Sequence, residues 1–501
     1  MGNEAGRRHP VVDVVMGVDI GTSSSKGVLV DFEGKIHATA VCVHDVSRPA
    51  PGQVEMDAGV WWDEFKQISR ELTATDNVSV VGVGVSGMGP CVLVADQQAR
   101  PLRPAILYGV DSRAVNQIQY LTSELGEQSI VDRCGSGLST QSVGPKLAWI
   151  SDHEPDVASR TRMLFMPSSW LAYQLTGEYI LDHHSASQCT PMYDTGRHDW
   201  HAPFAGRLIQ SLNLPRLVWP GDIVGHVNTE VSGLTGIPAG TPVIGGTIDA
   251  WSEALSVDAQ NPGDLMLMYG TTMFLINTLQ ARKTSSLMWG TVGAMPGTYN
   301  LAGGMATSGA ITGWLRKILG SPDFSTLLSE AEGSGPGANG LLMLPYFAGE
   351  RTPIADPDAR GLIAGLTLDH TRGDLYRATL EATAFGVRHN VEALENLGGE
   401  VQRTIAVGGG TQGGLWTQIV SDVTGLDQEM PAVTIGASFG AAYLAANALK
   451  PVSIRQWNPI VSVIKPREET AARYRALYGL YREIYEATAS ITHGLVRLRT
   501  A

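Results

Sequence analysis

Residues 14–30 read Val14-Val-Met-Gly-Val-Asp19-Ile-Gly21-Thr22-Ser23-Ser24-Ser25-Lys26-Gly-Val-Leu-Val30. The apolar, mostly β-branched start suits a buried strand. Gly21 permits a sharp turn and a close backbone approach. Thr22 to Ser25 crowd hydroxyls and backbone N–H groups onto that turn, Lys26 adds a cation, and apolar residues then resume a strand. Small residues, N–H donors and one cation suit an oligophosphate. Asp19, at the strand tip, can hold Mg²⁺ through water. The chain contains no Gly-x-x-x-x-Gly-Lys-Ser/Thr, so this is not a Walker loop. Taken alone, the stretch is either a phosphate cradle or a β-hairpin with a Ser-rich turn.

A second copy decides between them. Residues 264–277 read Asp264-Leu-Met-Leu-Met-Tyr269-Gly270-Thr271-Thr-Met-Phe-Leu-Ile-Asn277, again strand, Gly-Thr turn, strand. Two such hairpins, each opening one half of the chain, imply a duplicated domain. That is the plan of actin-like ATPase folds, with nucleotide in the cleft between halves. The expected partition is a tail at 1–10, a first domain at 11–256 and a second at 257–501.

Composition agrees with two globular cores. The chain has 501 residues, 43% apolar and 17% charged, with 58 glycines for turns and close approaches. A net charge of −13 without a basic run argues against nucleic acid and anionic membrane as partners. The four cysteines (Cys42, Cys91, Cys134, Cys189) share no C-x-x-C spacing and read as reduced and buried. The polar first ten residues lack a signal-peptide run, and no apolar run reaches about 18 residues, so a cytoplasmic protein is expected.

Between the hairpins lie several candidates and decoys. Gly82, Gly84 and Gly87 match G-x-G-x-x-G, but the following Pro90-Cys-Val-Leu-Val reads as strand, not the helix a dinucleotide site needs. Asp111 and Arg113 read as a surface ion pair or a polyol contact. His183-His184 and His198 with His201 lack a further clear metal ligand and read as solvated loop. Asp249 ends the strand-like Pro-Val-Ile-Gly-Gly-Thr-Ile run before a helix. That position suits an N-cap and a catalytic carboxylate equally.

The C-terminal half carries Pro345-Tyr-Phe-Ala-Gly-Glu-Arg-Thr-Pro353, Asp356-Pro-x-Ala-Arg-Gly361, Gly365-Leu-Thr-Leu-Asp-His-Thr371 and Asp374-Leu-x-x-Ala-Thr-Leu-Glu381. Together with Asp19-Ile-Gly-Thr22, Tyr269-Gly-Thr271, Gly408-Gly-Gly410 and Ala437-Ser-Phe-Gly-Ala-Ala442, these resemble the FGGY carbohydrate kinases over nearly the whole chain. The resemblance implies an α/β fold of two ribonuclease H-like (actin-like ATPase) domains. It also implies ATP with Mg²⁺ in the cleft and γ-phosphoryl transfer to a sugar or polyol hydroxyl. It places Gly21, Thr22, Ser23 and Lys26 at the first phosphate turn, with Asp19 toward the metal, and Gly270 and Thr271 at the second. Gly309, Gly313, Gly409, Gly410 and Gly413 fall at adenosine, and Asp249 at the general base. Met88, Gly89, Pro90, Asp111 and Gln141 are the implied sugar contacts. The Pro-Lys-Leu run at Pro145 resembles the xylulokinase branch, but Met88-Gly-Pro-Cys91 lacks that branch's imidazole, and Gly89 is expected to leave extra room. A glycerol kinase would carry Arg-Glu at Gly89-Pro90. A ketopentose such as xylulose is therefore the first substrate expected, then a sugar acid or another polyol, with a homodimer as a candidate assembly.

Overall fold

The computed structural model describes residues 11–500, so the expected tail at 1–10 lies outside them. Two compact units emerge. The first gathers the described residues up to 260 with 291–299 and 435–459; the second takes 261–290, 300–434 and the residues from 460 onward.

The first unit is built on a mixed sheet. Its strands are β1 (Val12–Ile20), β2 (Ser24–Asp31), β3 (Ile36–Val43), β4 (Val78–Gly87), β5 (Ile223–His226), β6 (Pro242–Ile244) and β7 (Thr247–Ile248). The order is β5-β6-β4-β1-β2-β3, with β7 pairing onto β4. β1, β2 and β3 form an antiparallel meander, β4 joins β1 in parallel, and β6 joins β4 in parallel. From Val14 onward every residue of β1 is buried, as a central strand covered on both faces requires. On one face lies α1 (Ala58–Thr73), started by Asp57 accepting from the Gly59 N–H. Its Trp61, Phe65, Ile68 and Leu72 recur at helical spacing and are all buried.

The helix Ala437–Leu449 covers the sheet's other side. A Cβ on Gly17 would lie 2.0 Å from Ser438 O, and one on Gly84 1.9 Å from Ala441 O. Glycines on the strands and alanines on the helix let the two backbones approach this closely, as the small-residue composition of 436–449 predicts. This contact places a distant piece of chain in the first unit. The single cut at 256/257 drawn from the sequence is therefore crossed twice, by 291–299 and by 435–459.

The second unit repeats the plan. Its strands are β8 (Asp264–Tyr269), β9 (Met273–Leu279), β10 (Trp289–Val292), β11 (Tyr299–Met305), β12 (Arg403–Val407), β13 (Gln428–Pro431) and β14 (Ile460–Ile464). The order is β10-β11-β9-β8-β12-β13-β14. β8 pairs antiparallel with β9 and parallel with β12, β12 is parallel to β13, and β13 is antiparallel to edge strand β14. The same relations run through β1, β2, β4, β6 and β5, so the duplication read from two Gly-Thr turns extends to strand order and direction. Gly303 and Gly304 lie inside β11, and the helix Gly309–Ile318 starts four residues after that strand ends. Among the described residues no helix is long and apolar enough to cross a membrane.

Candidate active site

In the first unit the β1–β2 register runs to Ile20↔Ser25, leaving Gly21 to Ser24 as the turn. The Gly21 N–H donates to Ser24 O at 3.0 Å. Gly21 O accepts from His44 Nε2 at 3.0 Å, and Ser23 O accepts from the His44 N–H at 3.1 Å. His44 Nδ1 lies 2.9 Å from Glu64 Oε2 on α1, and the Ser25 hydroxyl donates to the same oxygen at 2.5 Å. The Thr22 hydroxyl meets Tyr108 OH at 2.9 Å. Lys26 is exposed and sits opposite Asp19 in the ladder. His44, Glu64 and Tyr108 escape the sequence reading. They lie 23, 39 and 86 residues from their partners, and no motif marks such separations.

Register then lines up the acids. Asp19 is level with Ser86 across β1–β4, and Ser86 is level with Thr247 across β4–β7. The Ser86 hydroxyl donates to Asp19 Oδ1 at 2.9 Å. Two residues beyond Thr247, Asp249 opens α2 (Asp249–Ser256) as its first helical residue; the N-cap position belongs to Ile248. The Asp249 carboxylate accepts the Ala250 N–H at 2.7 Å, so it favours the helix start without being its cap. Glu253 follows one turn later. Burial holds Asp19 above the usual carboxylate range against the Ser86 hydrogen bond and Lys26, and burial together with the Asp19 carboxylate raises Asp249. Burial and Asp19 push Glu253 up to about 7, against a smaller opposing pull from Lys26. Among the described residues no group of three or more His, Cys, Asp or Glu is arranged to hold a metal directly.

The layer behind Asp249 corrects the histidine reading. His184 is fully buried, stacks on Trp251 with ring centroids 3.8 Å apart and bonds Val292 O through Nδ1 at 2.8 Å. Burial pulls it down to about 3, so the ring is neutral. His183 and His198 pack on Trp219, and His201 on Phe204. These are packed aromatic contacts, not a solvated loop. Asp182 accepts from the Thr247 hydroxyl at 2.9 Å and thereby braces the strand that leads to Asp249.

The expected sugar contacts divide. Met88 and Pro90 are buried, and the Met88 N–H donates to Ile20 O at 2.7 Å beside the first turn. Gly89 does not leave extra room. A Cβ there would lie 2.7 Å from Ile248 Cγ1, so the side chain next to Asp249 already fills the space. Asp111 is not at the surface. Its Oδ2 accepts from the Val54 N–H at 2.6 Å and from Arg113, and its Oδ1 accepts from the Arg113 backbone and Nε. With no exposed side-chain area and both oxygens engaged, it is committed to a buried ion pair that also includes Glu55. Gln141 Oε1 accepts from the Gly109 N–H at 3.0 Å, tying two loops together. Lys146, buried and donating to Thr140 O at 2.8 Å, is pulled down to about 8 by burial, and the nearby Cys91 thiol is pushed up to about 12.

In the second unit the β8–β9 register closes at Tyr269↔Met273, and the Gly270 N–H donates to Thr272 O at 3.1 Å. Gly270 O accepts from the Gly309 N–H at 3.0 Å; Thr271 O accepts from the Ser308 N–H at 3.1 Å and the Ala310 N–H at 3.0 Å. A Cβ on Gly309 would lie 2.5 Å from Gly270 O, and one on Gly410 2.6 Å from Trp416. Those two positions need glycine for packing, whatever binds nearby. Gly313 and Gly409 instead face open space, and Gly413 has φ +91°, with Leu328 Cδ1 3.3 Å from where a Cβ would lie. Glu350, of the Glu-Arg-Thr-Pro run, accepts from the Ala306 and Arg351 N–H groups, each at 2.7 Å, and burial pushes it up to about 8.

Comparison with known proteins matches this architecture. Residues 14–256 match the N-terminal domain of the FGGY family of carbohydrate kinases, and residues 265–449 match its C-terminal domain. The xylulose kinase of Staphylococcus epidermidis is 27% identical, over 97% of this chain and 99% of the relative. The glycerol kinase of Nocardia farcinica is 30% identical, over 87% and 90%. The crystal structure of xylulose kinase from Rhodospirillum rubrum superposes with a TM-score of 0.90 at 31% identity, covering 96% of this chain and 100% of that one. The chain belongs to the FGGY family of carbohydrate kinases.

Proposed function

We propose that this kinase transfers the γ-phosphoryl group of ATP to a hydroxyl of a ketopentose such as xylulose, with Asp249 as the general base. The observation that carries this reading is the alignment of Asp19, Ser86 and Thr247 across adjacent strands, with Asp249 two residues further on. It supports one carboxylate serving the phosphates and a second serving the acceptor hydroxyl that loses its proton. A raised carboxylate is a better proton acceptor than an ordinary one, and a loose transition state asks for the proton late.

Other residues take parts suited to their chemistry. Thr22 and Ser23 offer N–H and hydroxyl donors and Lys26 its ammonium to phosphate oxygens, as does Thr271 in the second unit through N–H and hydroxyl, while Gly21 and Gly270 close the turns that present them. Gly313, Gly409 and Gly413 are the positions where adenosine would meet little side-chain obstruction. Magnesium takes few carboxylates and keeps water and phosphate oxygens as its other ligands, so Asp19 alone fits it. When bound, it neutralises charge on the phosphates. Met88, bonded to Ile20 O, and Gly89, packed on Ile248 beside Asp249, put the Met88–Pro90 stretch on the sugar side in this reading. The xylulose kinase relatives support the ketopentose. The glycerol kinase relative supports a polyol as the second reading, although the Arg-Glu pair of glycerol kinases is absent at Gly89-Pro90.

The test is Asp249→Asn. The isostere retains shape and the bond to the Ala250 N–H through its side-chain oxygen. Loss of a general base costs about 10²–10⁴-fold. The expected outcome is a kcat lower by that factor with nucleotide affinity kept. An Asn variant that phosphorylates sugar near the wild-type rate removes the assignment.

A further inference from the structure

His44 directly follows β3 and carries no motif, yet it touches the first phosphate turn twice. Its backbone N–H takes Ser23 O and its ring takes Gly21 O, while Gly21's own N–H takes Ser24 O. Three carbonyls of the turn are therefore occupied within the protein. The ring is itself held by Glu64, which reaches across from α1 and also accepts the Ser25 hydroxyl. The His44 and Glu64 side chains are 7% and 13% exposed, so solvent competes little for either contact.

The consequence lies in the Gly21–Thr22 peptide. It is trans, and in a trans peptide C=O and N–H point in opposite directions. With Gly21 O pointing at the His44 ring, the Thr22 N–H points away from it. Rotating that peptide would present a carbonyl oxygen to an incoming phosphate in place of a donor. Glu64 holds the ring's other nitrogen, so the imidazole is kept from swinging away from Gly21 O.

We infer that the Glu64–His44 pair is a positioning device for the nucleotide. It locks the Gly21–Thr22 peptide in its donor-outward orientation. The inference rests on the reading of this turn as a phosphate site. His44 touches no reacting atom; it acts through the peptide it holds.

The test uses the full-length protein with Mg²⁺–ADP titrated calorimetrically and ATP and sugar KM measured separately. His44→Ala is expected to weaken Mg²⁺–ADP binding and raise the ATP KM by about tenfold, the size of a lost buried hydrogen bond. The sugar KM should stay within about twofold. Glu64→Gln, which keeps shape and packing, should show the same split at smaller size, and it decides the matter if the alanine variant does not fold. His44→Gln, which keeps one donor for Gly21 O, should recover part of the loss. If both His44→Ala and Glu64→Gln bind Mg²⁺–ADP like the wild type and lose only thermal stability, the inference is overturned. If the wild type phosphorylates no sugar while the His44 variant still loses Mg²⁺–ADP affinity, the positioning role stands and the kinase reading falls.

Discussion

The turn after β1 gives its carbonyls to a histidine, whereas the turn after β8 gives its carbonyls to the backbone of a helix start. In the first, Gly21 O and Ser23 O are held by the ring and N–H of His44. In the second, Gly270 O and Thr271 O are held by the N–H groups of Ser308, Gly309 and Ala310. In both turns the leading glycine's own N–H closes the turn, Gly21 onto Ser24 O and Gly270 onto Thr272 O. They differ in what evolution can adjust. A side-chain clamp can be retuned by one substitution, while a backbone clamp responds only to a change in shape. The acids follow the same division. Asp19 stands two residues before Gly21, but the equivalent place before Gly270 holds Met268. The carboxylates that crowd one another, Asp19, Asp249 and Glu253, belong to the first unit alone. Duplicated topology has thus kept the cradle in both halves, with the acid chemistry in one.

The comparison breaks most readily at Gly309. A methyl group there would sit 2.5 Å from Gly270 O, a backbone atom with little freedom to yield. Gly309→Ala should therefore raise the ATP KM about tenfold or more, equivalent to roughly 1.4 kcal/mol or above. Overpacking of this kind also costs about 1–3 kcal/mol of stability, visible as a lower Tm. The sugar KM should hold. An alanine variant with wild-type ATP kinetics would show that the second turn does not depend on its helix clamp.

A smaller effect sharpens the electrostatic half of the comparison. Glu253 is raised to about 7 from an ordinary value of 4.5, with burial first and Asp19 second among the causes. Well below pH 4.5 the carboxyl is neutral in folded and unfolded chains alike, so it brings no ionisation penalty. As pH climbs through 7 it ionises in the folded protein too, and the native state bears the full penalty. Glu253→Gln should therefore melt with the ligand-free wild type near pH 4.5 and above it at pH 8, by roughly 2 °C for a penalty near 1 kcal/mol. Equal melting temperatures at both pH values would mean that neither burial nor Asp19 raises Glu253.

Local parts of this picture are legible in the sequence, and distant ones are hidden. Both turns, their strands and the duplication follow from short apolar runs broken by Gly-Thr. The docking of the helix Ala437–Leu449 follows less directly: its small residues promise close packing, but nothing in them says against which sheet. That choice is made by Gly17 and Gly84, more than 350 residues away, and it brings 435–459 into the first unit. At Gly89 a missing side chain suggests space, and only the fold reveals that Ile248 occupies it. Asp111 misleads for a similar reason, since Val54, whose N–H it accepts, and Glu55, which shares Arg113 with it, come from a distant part of the chain. Asp249 reads both ways in the sequence, and the helix start takes away only the N-cap reading, since Ile248 holds that position. In each case the undecided quantity is a long-range contact or an exact boundary, which spacing along the chain does not encode.

The central claim is that this FGGY kinase uses its acid-bearing first unit to phosphorylate a small sugar. A coupled assay of ATP consumption by the wild-type protein with Mg²⁺, run against ketopentoses, glycerol and gluconate, tests it most directly. The account predicts sugar-dependent turnover with the highest kcat/KM for a ketopentose such as xylulose. ATP consumption that no sugar, polyol or sugar acid raises above the sugar-free rate would contradict it.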